Sequence, residues 1–348
     1  MCDHHLGNFV LSLPTIRKLS TFFCRGIDLL VDARHTPLAL HILPGDRIIS
    51  LNQGVSNGDR SLARFLATAG VVLRTAARRY AMVIDLTGSI VSTTVTLASC
   101  SRKRVGFFEA GRSWIYAHRI SKAAQSYTPF RYAQILTLLG ESPEVSPIKL
   151  RASASEHEQC DQLLQALGLD LQRPVVVVHP KTARFKRRYR LRCWPEERFA
   201  ELAARLAGHF EQQVCLIGSP YERQGLDRIR GAAGSKKGIV SFVAPVNILL
   251  ALLEKGTVLI SNEGGPTHLA GTTHIPIVTV FGPTAEAIWR PFRTQDIVLL
   301  RGAECAPACL RSGGPCAGRS RALCVENISV DGVLKSGGSL SCETFRCV

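Results

Sequence analysis

The feature that most constrains this chain is an alternation. Apolar runs of four to eight residues, rich in Val and Ile, are separated by longer amphipathic stretches, the pattern of parallel strands joined by crossover helices. "PVVVVHP" (174–180) is the clearest run, because an unbroken β-branched segment belongs to a strand buried on both faces. Around it the pattern predicts strands at "GIDLLVD", "RIISL" and "AMVIDL" and helices near 10–22, 60–78 and 129–140. Further strands are predicted at "QVCLIGS", "TVLISN" and "PIVTVFG", with helices at 195–209, 222–232 and 266–273. Residues 152–174 run polar, then helical, then stop at Pro174, which suits a bridge. The expectation is an α/β chain of two doubly wound units: 1–152, 153–335, and an atypical tail, 336–348, without an apolar helical ending. Two such units facing across a cleft would take ligands at the carboxyl ends of their strands.

At 348 residues, 46% hydrophobic and 20% charged, there is core material for two domains. The formal charge of +16 calls for anionic partners such as phosphorylated small molecules, acidic lipid or nucleic acid. Nucleic acid is set aside, since there is no zinc-finger spacing, RNP motif or aromatic-basic interleaving. The apolar runs fall far short of the ~18 residues of a membrane span. The start lacks a secretory signal layout, so a cytoplasmic setting is expected, with peripheral contact to an anionic inner-membrane face.

Most of the 12 cysteines are scattered and read as buried thiols. Cys305, Cys309, Cys316 and Cys324 instead fall within 20 residues of Gly- and Pro-rich chain. Four such thiolates suit a structural zinc or iron. Their gaps of 3, 6 and 7 residues are irregular for one, and reduced thiols are the other reading.

In "TVLISNEGGPTHLAG" a strand ends at Ser261, Gly264 and Gly265 admit a close backbone approach, and Pro266 suits the first turn of a helix. A helix start there would present N–H groups and positive dipole to a phosphate, with Thr267 and His268 adjoining. Glu263 suits sugar hydroxyls or a helix cap. In "HPKTARFKRRYRLRCWPEERFAEL" a strand is followed by Thr182, Lys186, Arg187, Arg188, Arg190 and Arg192 before a helix opened by Pro195, a setting for a diphosphate. Neither a Walker A loop nor GxGxxG is present, which removes P-loop hydrolysis and hydride transfer.

These two stretches, with "LGNFVLSLP", "YAMVIDLTGS", "LIGSPYE" and "CAPAC…C…CVENISV", make the chain resemble glycosyltransferase family nine, the heptosyltransferases, over most of its length. The resemblance implies a two-domain GT-B fold and heptose transfer from ADP-heptose to the lipopolysaccharide inner core. The second domain would hold the donor and the first the acceptor, in an inverting displacement that requires no cofactor. It places Thr182 and Arg192 on the diphosphate, Arg192 standing for a usual Lys, and Glu222 on the nucleoside. Glu263 stands for a usual Asp of the donor loop and Gly264 for a usual Ser or Thr, whereas Gly265 and His268 match.

The family's opening loop reads Gly-Asp, the Asp being its proposed base. Here the pair is Gly7 and Asn8, and the short strand expected ahead of it is missing. An amide orients a hydroxyl but does not accept its proton near neutral pH. Asp3, His4 or His5 are the nearby substitutes, and a silent member that binds nucleotide sugar or glycolipid is the alternative reading.

Elemental analysis tests the cysteines. The irregular gaps predict a folded, metal-free protein, whereas close to one zinc or iron per chain, lost on Cys309→Ser, would assign the four thiols to a metal.

Overall fold

The computed structural model describes residues 5–51, 60–108, 113–121, 127–180, 192–234, 237–293, 295–300 and 322–340. The chain divides into two compact units, Met1–Ile148 and Lys149–Val348.

The first unit runs α1 (Leu6–Phe22), β1 (Leu29–Asp32), α2 (Thr36–Ala39), β2 (Ile48–Leu51), α3 (Arg60–Ala77), β3 (Met82–Asp85), α4 (Ile90–Ala98), β4 (Lys103–Phe108), β5 (His118–Ser121) and α5 (Thr128–Ala133), the last continuing as a 3-10 turn, Gln134–Leu139. Among the described residues β1 and β2 form one parallel pair, and β3, β4 and β5 a second parallel sheet in that order. Leu30, Ile49 and Leu51 pack with Val71 of α3 and Val95 of α4, so helix and strand share one core.

Two expectations change here. Gly7 and Asn8 do not lie in a loop ahead of the helix: α1 starts at Leu6 and holds both in its first turn. Phe9, Val10, Leu13 and Ile16 are buried, and that burial carries the helix through Pro14, which lacks the N–H for an interior bond. The short strands β4 and β5, "KRVGFF" and "HRIS", carry charged residues that hid them from the hydrophobic pattern.

The second unit runs α6 (Ala154–Ala166), β6 (Val175–His179), α7 (Glu196–Gly208), β7 (Gln213–Ile217), a 3-10 turn (Pro220–Glu222), α8 (Arg223–Ala232), β8 (Ile239–Phe242), α9 (Val246–Lys255), β9 (Val258–Asn262), α10 (Gly265–Ala270), β10 (Ile277–Val280), α11 (Glu286–Trp289), β11 (Ile297–Leu300), α12 (Leu323–Glu326) and α13 (Val330–Leu340). Its sheet is parallel throughout, in the order β11-β10-β9-β6-β7-β8. That is the doubly wound order of a dinucleotide-binding fold, reversing between β6 and β9. Val176, Val177 and Val178 are wholly buried, as an unbroken run requires. Phe199, Leu202, Ala203 and Leu206 form the stripe that seats α7 on the sheet.

Within the stretch 152–174, residues 154–166 form a helix inside the expected second unit, 153–335. Helix α6 belongs to the second unit, starts on a Ser153–Glu156 capping box, and is tied to α9 by Asn247 Nδ2 to Glu156 Oε1 (2.9 Å), His157 Nε2 to Glu254 Oε2 (3.1 Å) and Lys255 to Asp161 (2.9 Å). Of the atypical tail, 336–340 continue helix α13, which seats Val330, Val333 and Leu334 in the core and Asp331 on Arg205 at 2.7 Å, and 341–348 lie outside the described residues. Of the six described cysteines, Cys160, Cys215 and Cys324 are buried, but Cys24 and Cys100 are exposed in turns that follow helices. Burial pushes the Cys160 thiol up to about 12 and Cys215 higher still, so neither forms a thiolate readily. Among the described residues no helix is long and apolar enough to cross a membrane.

At the amino ends of the first unit's strands, Asp28 accepts hydrogen bonds from Arg47 (3.3 Å), Arg78 and Tyr80 (2.6 Å). Burial alone would raise the Asp28 pKa, but these bonds outweigh it and hold the carboxyl below its ordinary value. Burial, then the Asp28 bond, pushes the Tyr80 phenol up to about 12. A carboxyl depressed on folding contributes stability that is present above its unfolded pKa and lost as pH falls through the folded one. Asp28→Ala is therefore expected to cost about 2 kcal/mol near neutral pH, with the gap to the native protein closing below pH ~4. Urea melts at a series of pH values check both.

Candidate active site

The site is built where the second sheet reverses. In the register of β6 and β9, Val178 stands opposite Ile260 and His179 opposite Ser261, and beyond that pair the two chains part. Crossovers on opposite faces leave a crevice at such a point, so the loops that follow both strands border it.

Asn262, wholly buried, closes β9. Its Nδ2 donates to the carbonyl of Pro180 at 2.6 Å, and its Oδ1 accepts from the Trp194 backbone N–H at 2.9 Å. Trp194 is itself buried, donating Nε1–H to Ile328 O at 2.9 Å and meeting Phe199 edge-on at 4.8 Å. Two residues before it, Arg192 brings Nη1 to 3.6 Å from Glu263 Oε1. Glu263 is buried, its backbone N–H bonded to Val280 O at 3.1 Å, and its Oε2 accepts the hydroxyl proton of Thr284. A buried carboxylate needs such partners, since desolvation is costly unless it is paired and hydrogen-bonded. Loops after β6, β9 and β10 thus converge on one carboxylate.

Helix α10 spans six residues, shorter than the predicted 266–273, and ends at Gly271, where an added Cβ would meet His268 O at 3.0 Å and Pro291 Cβ at 3.1 Å. Its N-cap, Gly264, has φ 175°, an extended geometry open to any residue. What limits the position is space, because a Cβ there would stand 3.3 Å from Cε1 of the buried His179 ring. Gly265 opens the helix and His268 is buried within it. The Thr267 hydroxyl meets Ser261 Oγ at 2.8 Å and donates to Asn262 O at 3.2 Å, which pins α10 to β9.

Glu222 sits in the 3-10 turn that follows β7, buried, and its Oε2 accepts from Ser219 N–H at 2.9 Å and Ser219 Oγ at 2.8 Å. The chain turns tightly there: a Cβ on Gly218 would come within 3.1 Å of Glu222 Cβ.

The structure therefore groups Arg192, Glu263, Gly264, Gly265, Thr267 and His268 around one strand end. Thr182 and Lys186 lie outside the described residues, as do Cys305, Cys309 and Cys316. Cys324 is on α12 in the hydrophobic core. No group of three or more His, Cys, Asp and Glu suited to a metal occurs among the described residues. Sequence reasoning missed Asn262, Thr284 and His179. The signal was available, because His179 and Asn262 each end a strand and Thr284 lies in the "FGPT" loop after one.

In the first unit, Asn8 is half-buried one residue before Phe9, whose ring stacks on that of buried His35 at 5.5 Å. His5 is exposed at the N-cap of α1 without a side-chain cap bond, and Asp3 and His4 lie outside the described residues. Asp85 ends β3, wholly buried. Its Oδ1 takes Thr87 N–H at 2.9 Å, Thr87 Oγ1 at 3.0 Å and Gly88 N–H at 3.1 Å, while Oδ2 takes the Tyr116 hydroxyl at 2.7 Å. Gly88, at φ +67°, permits the turn that delivers Ser89 to cap α4.

Two parallel α/β units, the second with a charged crevice at its topological switch point, define a protein of the GT-B glycosyltransferase class. The chain belongs to glycosyltransferase family 9 (heptosyltransferase), whose model matches residues 73–313. It is 22% identical to lipopolysaccharide heptosyltransferase 3 of Escherichia coli (strain K12) over 308 residues, 84% of each chain. In fold it is similar to the E. coli ADP-heptose LPS heptosyltransferase II, with a TM-score of 0.76 at 18% identity over 97% of this chain and 96% of that one. It is similar also to the E. coli heptosyltransferase WaaC with ADP, with a TM-score of 0.68 at 17% identity over 97% of both.

Thr284→Val removes the hydroxyl that donates to buried Glu263 and is expected to cost about 1–3 kcal/mol, the penalty for depriving a buried charged acceptor. Thr284→Ser should restore most of it. Chemical denaturation of the three proteins gives the measurement.

Proposed function

We propose that this chain transfers heptose from ADP-heptose to the lipopolysaccharide inner core, the second unit holding the donor and the first the acceptor. The observation that carries this reading is the convergence of Arg192 and Glu263, 3.6 Å apart, at the switch point of a dinucleotide-type sheet. A cation there suits a diphosphate, and a fixed carboxylate suits sugar hydroxyls. Of the two proteins named above for fold, one is an ADP-heptose LPS heptosyltransferase and the other is seen with ADP, which agrees with such a donor.

In this mechanism the acceptor hydroxyl oxygen attacks the anomeric carbon as the bond to the diphosphate oxygen breaks, inverting that carbon. Charge grows on the departing diphosphate. Arg192 meets it, together with Thr182, Lys186 and the first turn of α10 at Gly264 and Gly265, where preorganised donors stabilise developing negative charge. His268 adds a ring donor, Glu263 orients the heptose, and Glu222 lies toward the nucleoside. No metal is needed for these roles. The acceptor's phosphates and an anionic membrane face suit the +16 of the chain.

Asn8 holds the base position and orients the acceptor hydroxyl without taking its proton, which passes to solvent water as the new bond forms, so donor binding and transfer should separate. Calorimetry should find ADP bound more tightly than GDP, and Arg192→Ala should weaken ADP by about 1.5–3 kcal/mol. Transfer should be slow in the native chain and rise at least about tenfold in Asn8→Asp with donor affinity nearly unchanged, since general-base assistance is typically worth about 10²–10⁴-fold. Equal binding of ADP and GDP, or of neither, would sink the donor assignment. ADP binding without transfer in either protein would mark the chain as a silent member.

A further inference from the structure

Asn262 has no part in the donor contacts proposed above, yet its side chain joins the two segments that carry them. The chain leaves β6 at Pro180 and comes back at Trp194, and both points are hydrogen-bonded to this one amide, at 2.6 and 2.9 Å. An Asn side chain offers a donor and an acceptor in fixed opposition, so satisfying both partners sets the spacing between them. The residue is wholly buried, and breaking either bond leaves a backbone group unpaired at real cost.

The lever from this clamp to the charged pair is short. Trp194 is held on its other side by its ring N–H on Ile328 O and by Phe199, so the backbone two residues on from Arg192 has little freedom. Glu263, next in sequence to Asn262, is held from the opposite side by Val280 O and the Thr284 hydroxyl. The carboxylate is thus anchored through β10 and the guanidinium through Asn262.

We propose that Asn262 is the positioning residue of the donor site: by clamping Pro180 and Trp194 to the end of β9, it sets Arg192 against Glu263 and so fixes the cation that meets the diphosphate. The proposal deepens the donor-site reading and rests on it. An ångström of misplacement at such a centre can cost about 10²-fold, which makes the clamp functional as well as structural.

The test is a double-mutant cycle on the full chain, read by ADP calorimetry with thermal melting in parallel. Asn262→Leu keeps volume and breaks both bonds; if it does not fold, Asn262→Ser replaces it, since a short hydroxyl cannot span both partners. Each of Asn262→Leu and Arg192→Ala should weaken ADP at least about tenfold, and the double variant should be no more than about threefold weaker than the weaker single. Asn262→Asp keeps the acceptor for Trp194 N–H but loses the donor to Pro180 O, so it should weaken ADP less than Asn262→Leu does and leave Arg192→Ala a further effect. Losses that multiply, native affinity in Asn262→Leu, or an Arg192→Ala effect absent from Asn262→Asp would each overturn the proposal. If the native chain binds no ADP, the donor reading fails by itself. The clamp is then judged by melting cycles of Arg192→Ala with Glu263→Gln: coupling lost in Asn262→Leu supports it, and coupling retained there refutes it.

Discussion

The pairing of β6 with β9 is the constraint on which the second unit hangs. Both are buried on two faces, so their backbone groups have only each other and their outer neighbours to satisfy them. Because β7 and β8 lie on one side and β10 and β11 on the other, crossovers diverge at this pair. Ligand-handling residues follow from that divergence. Glu263 bonds its amide to Val280 O one step past the last strand pair, so the carboxylate begins where the sheet ends.

Charge is handled differently at the two ends of the strands. In the first unit Asp28 precedes β1, Arg47 precedes β2, and Arg78 and Tyr80 precede β3, a cluster at the amino ends that ties loops together and faces no expected ligand. At the carboxyl ends sit Asp85, the last residue of β3, and Glu263, just after β9, both buried and both used to hold a loop in shape. A partly buried ion pair such as Arg192 with Glu263 is weak support for stability, because desolvation offsets much of the attraction. Its use lies in holding a cation ready at one place.

Helix α1 shows how burial overrides local preference. A proline at its centre and a glycine near its start argue against a long helix, and position-by-position reading ended in a loop at residues 7 and 8. Nine residues from Phe9 to Leu19 are nonetheless buried, and the helix holds from Leu6 to Phe22. The consequence for chemistry is that Asn8 is part of a helical first turn, where its direction is set by the helix.

The sequence alone determined the α/β class, the strands at 175–179, 213–217, 258–262 and 277–280, and the family, because β-branched runs and the order of loop motifs are local properties that survive without a partner. It also marked Arg192, Glu263, Gly264, Gly265 and His268 from their place after strands. It did not determine β4 and β5, whose charged residues mask their period, or the ties that pin α6 to Glu254 and Asn247, nearly a hundred residues away. Tertiary structure alone decided that Thr284 meets Glu263, that His179 rather than backbone strain limits Gly264, and that one Asn side chain gathers Pro180 and Trp194. Each of these is a contact between loops that only the strand order brings together, and strand order is set by how the whole sheet packs.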